Sequence, residues 1–315
     1  MRRRTALTAL ALGASALLDR PWARAQGTLE RIQVVGPPAE SATNLYYAIK
    51  TGMFARAGLD VVMVATGSGA VGTTAVITGT YELVRTSLLP LLSAHLRGIP
   101  LVAAGPSIVN TVRNPNGELQ IAPDAPYKTG ADLNGKTVGT TALGDINSLA
   151  TRAWVDKTGG DWRSLKVVEV PSAAMEEAIV DHRVAAGIMQ APLLDASLAA
   201  GTTKTLAYAY GAIAPLFMGS AYVARRDWAA QHADALRRFD RILAEATTYV
   251  MAHPAETAPL VVEFTKIELA NVAKMHRTVN ATTLDPVLVQ PVIDAAAKYE
   301  VISRSFPARE ILWSG

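Results

Sequence analysis

Stretches with the make-up of β-strands and stretches with helical spacing take turns through most of this chain. That alternation narrows the fold more than any other feature. Residues 32–35 form a short β run, 41–50 read as a helix followed by Gly52-Met53-Phe54, and 61–64 are a second strand. Residues 70–78 are helical, 82–85 a third strand, 88–96 helical and 101–104 a fourth strand. The pattern breaks near 107–116, at the strong turn Asn114-Pro115-Asn116-Gly117. A second round follows, in which Thr129-Gly130-Ala131-Asp132 can cap a short helix. Strands are then expected at 137–139, 167–170, 185–189 and 205–209, and helices at 147–156, 173–180 and 193–199. The remainder is mostly helical: Asp227 can cap a helix running from Trp228 towards Ala252, where His253-Pro254 interrupts it. Further helices are expected at 255–264, 268–275 and 287–299. Such alternation means an α/β protein built from βαβ units with largely parallel sheets.

Two segments share one grammar. Residues 61–98 and 167–201 both read strand, small-residue turn, helix, strand, helix, Gly. Gly79 and His182 fall at matching turns, and Ser87 and Gln190 at matching strand ends. This suggests two related lobes with facing strand ends, although any two βαβα units look alike to some degree.

The first 25 residues say where the protein works. Arg2, Arg3 and Arg4 precede an uncharged run over 6–18, and Ala23-Arg24-Ala25 supplies a small-x-small cleavage site. This is the layout of an export signal, too short and wrongly flanked for a membrane span. Cleavage after Ala25 is expected, by the general or the twin-arginine route. The whole chain carries a net charge of +3, but the signal holds five Arg and one Asp, which leaves 25 basic and 26 acidic residues in the mature chain. A nucleic-acid partner or an anionic membrane surface therefore loses its electrostatic support.

The chain has no Cys. That removes thiolate metal sites, cysteine nucleophiles and a lipid anchor at the cleavage point. The five His (His95, His182, His232, His253 and His276) show no metal-like spacing, and there is no Gly-x-Ser-x-Gly elbow. Catalytic residues, metals and cofactors are not expected.

Several stretches together resemble a known family. Residues 46–59 give a helix, then Gly52-Met53-Phe54 and Gly58-Leu59; Gly67-Ser68-Gly69 follows the second strand; residues 130–139 read GADLNGKTVG; and 178–189 give a helix, a turn and a strand. These pieces resemble the NMT1/THI5-like solute-binding proteins of nitrate, sulfonate and thiamine-precursor uptake. The resemblance covers roughly residues 32–270. It implies a two-lobe type II periplasmic binding protein fold. Residues 26–107 and 214–315 would form a discontinuous lobe 1 and residues 108–213 lobe 2, closing about crossing strands near 107–113 and 209–217. It also implies a monomeric periplasmic protein that hands a small molecule to the transmembrane subunits of an ATP-binding-cassette importer. A sensor subunit for a membrane kinase is one alternative. An enzyme like thiamine-pyrimidine synthase is another, disfavoured by the export signal and the lack of Cys.

Ligands of open α/β sheets sit at the carboxyl ends of strands and the N-termini of helices, where N–H groups are free. By that rule the candidate ligand residues are Thr43 and Asn44 after strand one, Ser68 and Gly69 after strand two, and Thr86 and Ser87 after strand three. Thr140, Thr141 and Asn147 follow the first strand of lobe 2, and Gln190 follows a later one. Each type also serves as a helix cap or turn residue. Tyr46, Tyr47, Phe217 and Tyr222 are the aromatic candidates, with Phe217 foremost because it lies near the return crossing. No Lys or Arg stands at an obvious pocket position. Hydroxyls and N–H groups without cations point to a small organic anion, a carboxylate or sulfonate with or without an aromatic ring.

Overall fold

The computed structural model describes residues 29–66, 69–115 and 117–315. The proposed export signal, the candidate Ser68 and the turn residue Asn116 lie outside them. The first half runs β1 (Glu30–Gly36), α1 (Thr43–Lys50), α2 (Met53–Arg56), β2 (Leu59–Ala65), α3 (Gly69–Ile77), β3 (Leu83–Ser87), α4 (Leu88–Leu96), β4 (Leu101–Pro106) and β5 (Val109–Thr111). Next come β6 (Gly117–Ile121), β7 (Thr137–Thr140), α5 (Ile146–Lys157), β8 (Lys166–Glu169), α6 (Ser172–Val180), β9 (Ala186–Gln190), α7 (Leu193–Ala200) and β10 (Lys204–Ala207). The chain ends with β11 (Leu216–Met218), β12 (Ser220–Arg225), α8 (Arg226–Gln231), α9 (Ala233–Ala252), α10 (Pro254–Thr265), α11 (Leu269–Val272) and α12 (Pro286–Lys298).

Two five-stranded sheets result, ordered β2-β1-β3-β12-β4 and β8-β7-β9-β6-β10. The two orders correspond strand for strand. In each, a parallel trio is followed by one reversed strand, β12 or β6, and then by a strand that runs with the trio. The internal repeat therefore has a structural counterpart. Gly79 and His182 both adopt left-handed φ, +78° and +56°. Gly98 and Gly201 do the same after α4 and α7, at +73° and +68°.

Both reversed strands escape a reading by periodicity. β12 is buried along nearly all its length, so it shows no polar alternation, and β6 carries Gln120 fully buried against Thr203 and Thr205. The helix expected from Trp228 to Ala252 is instead two helices. His232 leaves helical geometry at ψ +32°, stacks on Trp228 and bonds Glu30 across 2.8 Å. Asp227 lies inside α8, not before it.

The sheets are joined by a two-stranded antiparallel ribbon, β5 with β11, in which Phe217 faces Asn110. Gly219 lets Asn110 pack closely there: a Cβ would come within 2.3 Å of Asn110 Nδ2. One apolar cluster runs between both lobes, and a second fills the space between the first sheet and α1, α2 and α9. After α12 the chain returns to the first sheet, where Ala103 N donates to Ile311 O and Trp313 N to Ala103 O. No helix among the described residues is long and apolar enough to cross a membrane.

Candidate functional site

At the carboxyl end of the second sheet, β7 and β9 stop beside the first turns of α5, α6 and α7. Those turns enclose a cavity of about 120 Å³. Its wall is polar on one side, with Thr141, Asn147, Ser172 and Gln190, and apolar on the other, with Met175, Ile188, Met189, Ala191, Pro192 and Leu193. Met175 reaches the cavity because two β residues below it lack side chains. A Cβ on Gly139 or Gly187 would sit 2.7 or 2.4 Å from its sulfur.

The polar wall is wired together. Asp145 caps α5, accepting from Ser148 N at 2.8 Å and from Ala142 N at 3.1 Å. The hydroxyls of Thr140 and Thr141 each donate to it at 2.5 Å. Asn147 Nδ2 donates to Thr141 Oγ1 at 3.2 Å. The Tyr210 hydroxyl donates to Asn147 Oδ1 at 2.5 Å and accepts from Gln190 Nε2 at 3.0 Å. Tyr210 has no exposed surface; burial first, and then the nearby Asp145 charge, push its phenol well above the ordinary range. It is thus a neutral hydroxyl at any physiological pH. Gly117 lies opposite Gln190 in the sheet, where a Cβ would come within 2.8 Å of Gln190 Cγ and 3.2 Å of the Tyr210 ring. Gly117→Ala is expected to displace Gln190 from Tyr210 without unfolding the lobe. A ligand that bonds to Gln190 in this cavity should bind roughly tenfold more weakly, the value of one lost hydrogen bond, as read by calorimetry.

Four sequence candidates, Thr140, Thr141, Asn147 and Gln190, therefore belong to one connected group. The lobe 1 candidates are more scattered. α3 begins directly over Thr86, so close that a Cβ on Gly69 would lie 2.5 Å from Thr86 Oγ1. Ser87 caps α4 by accepting from Leu89 N. Thr43 donates to Glu40 O, and Asn44 is engaged by Thr247 of α9 at 2.8 Å and by Leu45 N. Phe217 is 0% exposed, edge-on to Tyr210 at the inter-lobe ribbon. Tyr46 and Tyr47 stack on Phe264 and Tyr249.

Two cations, Arg85 and Arg277, stand near lobe 1's strand ends, outside the cavity described above. Arg85 is 4% exposed on β3, and its guanidinium donates to Ser41 Oγ and Pro37 O in the loop after β1. Burial pushes it below the ordinary arginine range, opposed by Tyr222, Glu40 and Tyr46. Glu40 accepts from Arg277 Nε at 2.5 Å and from Thr278 N at 3.0 Å. The adjoining His276 meets Asp195 of α7 at 3.0 Å, so one loop touches both lobes. Asp145 was detectable as an Asp-x-x-Ser cap. Tyr210 and Arg85 had no local signal, since one follows the last strand of the sheet and the other interrupts an apolar strand.

A model of the NMT1/THI5-like family matches residues 40–257. The chain belongs to that family. The formylaminopyrimidine-binding protein of Halalkalibacterium halodurans is 27% identical over 128 residues, 41% of this chain and 37% of that relative. The match thus spans well under half of the relative's length. Among solved structures, the periplasmic aliphatic sulphonate binding protein SsuA from Escherichia coli is similar with a TM-score of 0.75 and 18% identity, over 90% of this chain and 97% of that one. The alkanesulfonate-binding protein SsuA from Xanthomonas axonopodis pv. citri, bound to MOPS, gives 0.73 and 16% over 90% and 98%. The nitrate-binding protein NrtA from Synechocystis PCC 6803 gives 0.62 and 16% over 77% and 69%. At these identities the likeness establishes the two-lobe binding-protein fold.

Within the family-typical stretch at 130–139, this structure assigns packing and turn roles. Gly130 abuts the backbone of Val155, the Asp132 carboxylate accepts from the N–H groups of Lys128 and Thr129, and Gly135 turns at φ +71°.

Proposed function

We propose that this protein is the solute-binding component of an ATP-driven importer, acting in the periplasm after its export signal is removed. Residues 26–107 and 214–315 form lobe 1 and residues 108–213 lobe 2, and the lobes close about the β5–β11 ribbon. The observation that carries this reading is the cavity at the β7 and β9 ends, lined by Thr141, Asn147, Ser172 and Gln190 at three helix starts. Such a placement is where α/β folds hold ligands. Hinged closure would bring the Arg85–Glu40–Arg277 side over it. The role is binding and delivery, not catalysis, by a monomer working with transmembrane permease subunits.

The proposed ligand is a small organic anion, a carboxylate or sulfonate, with room for a ring against Met175 and Ile188. Glu40 pairs with Arg277, while the neighbouring Arg85 donates to Ser41 Oγ and Pro37 O and feels Glu40 only through space, so two guanidinium groups stand beside one carboxylate on the lobe 1 side. The names of the structural relatives agree with an anion. A thermal-shift panel of carboxylates, sulfonates, nitrate, amino acids, pyrimidines and neutral sugars tests the reading. A true ligand at 100 times its dissociation constant adds about 2.7 kcal/mol of stability. A response to acids supports the assignment. A response confined to sugars or cations overturns the anion class, and no response from a folded, ligand-stripped protein overturns small-solute binding.

A further inference from the structure

We infer that Asp145 decides which end of a ligand lobe 2 accepts, by fixing the direction of a five-residue chain of hydrogen bonds that ends on Gln190. This inference rests on the cavity being the ligand site. A carboxylate can only accept. Asp145 is met by two backbone N–H groups, which can only donate, and by the hydroxyls of Thr140 and Thr141. Thr141 has one proton, and it is committed to Asp145. Its oxygen can then only accept from Asn147, so the atom of Asn147 that faces it is nitrogen. The Asn147 oxygen is thereby turned to Tyr210, whose single proton it takes. The Tyr210 oxygen, its proton spent, can only accept, so Gln190 must present nitrogen to it.

The last step leaves Gln190 Oε1 without a donor among the described residues, on an exposed side chain lining the cavity. Amide orientation is ordinarily ambiguous, but here each link is forced by the one before it. Lobe 2 therefore offers a ligand a carbonyl oxygen, and that oxygen repels a carboxylate or sulfonate while accepting an N–H or O–H group. The acid group of a bound anion is therefore turned away from Gln190 Oε1, and the ligand carries a hydrogen-bond donor where it meets that oxygen. Asp145 touches no ligand in this scheme; it is a positioning residue acting through Tyr210.

The test is nuclear Overhauser spectroscopy on the nitrogen-15-labelled, partly deuterated chain without added ligand. The expected pattern has Gln190 Nε2 protons close to the Tyr210 ring and Asn147 Nδ2 protons close to the Thr141 methyl. In Asp145→Asn the cap on Ser148 can persist while the new amide, in place of Oδ2, donates to Thr141 and gives up the bond from Ala142 N, which permits the whole chain to reverse. The Gln190–Tyr210 cross-peaks should then be lost and Asn147 Nδ2 peaks to the Tyr210 ring should appear. In Tyr210→Phe, the Asn147–Thr141 peaks should survive while Gln190 loses its fixed orientation. A wild-type spectrum with Asn147 Nδ2 against Tyr210, or an unchanged pattern in folded Asp145→Asn, overturns the inference. Failure of the solute panel with the expected pattern intact would remove the transport reading and leave the hydrogen-bond chain standing.

Discussion

Gly130→Ala is expected to destabilise the protein by about 3 kcal/mol or more, as overpacking against backbone does when nothing can yield. A Cβ there would lie 2.2 Å from Val155 O and 2.5 Å from Val155 Cα, inside α5. Neither atom is the end of a flexible chain. Thr158 Oγ1 also receives the Gly130 N–H at 2.8 Å, so the turn cannot slide away without losing a bond. Gly135→Ala provides the contrast. Its φ is +71° but its Cβ would meet nothing within 4 Å, so only the cost of a left-handed conformation remains, about 1 kcal/mol. Urea denaturation of the two variants beside wild type measures both. Equal midpoints would show that the turn at 130 relaxes freely and that close packing on α5 is not what that glycine supplies. Because α5 also presents Asn147 to the cavity, the damage from Gly130→Ala should extend to solute affinity.

The same comparison shows what kind of information the sequence carries. Strand–helix alternation located the parallel trios, helped by left-handed residues at several helix-to-strand turns, Gly58, Gly79, Gly159 and His182. The correspondence of 61–98 with 167–201 held down to individual turn and strand-end positions, Gly79 with His182 and Ser87 with Gln190. The reversed strands β6 and β12 were invisible to periodicity, since both lie inside their sheets. At the candidate site, the rule that ligands meet strand ends pointed to Thr141, Asn147 and Gln190, which line the cavity and are contributed by chain close to β7 and β9. It could not find Tyr210, whose hydroxyl joins two of them from underneath. Nor could it separate cavity residues from Asn44 and Ser87, which stand at equivalent strand ends but give their side chains to Thr247 and to a helix cap. Position relative to strand and helix is alike in these cases; what differs is where the side chain's hydrogen bonds go, to a distant helix for Asn44 and to the next turn for Ser87.

The layer beneath lobe 1 leads to a second large effect. Asp240 of α9 turns Oδ1 towards the first sheet, where it has no hydrogen-bond partner. Only Gly105 on β4 leaves room for it, since a Cβ there would stand 2.6 Å from that oxygen. Two further polar atoms of this layer, Tyr222 OH and Arg85 Nε, also lack partners. Burial pushes the Asp240 carboxyl well above the usual carboxylate range. The native state therefore holds its proton at pH values where the unfolded chain, with an ordinary value of about 3.9, has released it. Stability from this group is greatest below that unfolded value. It declines as pH rises towards the native value, by up to about 1.4 kcal/mol per pH unit. Asp240→Asn keeps the shape and abolishes the titration. Wild type and variant should have similar stability near pH 4 and diverge as pH rises, the variant becoming more stable by about 1–3 kcal/mol at pH 8, the range for burying an unsatisfied polar group. Urea denaturation at several pH values isolates the difference, because every other titrating group is common to both proteins. A difference that stays constant with pH, or a variant that is the less stable at pH 8, would mean that Asp240 reaches solvent or a partner in solution.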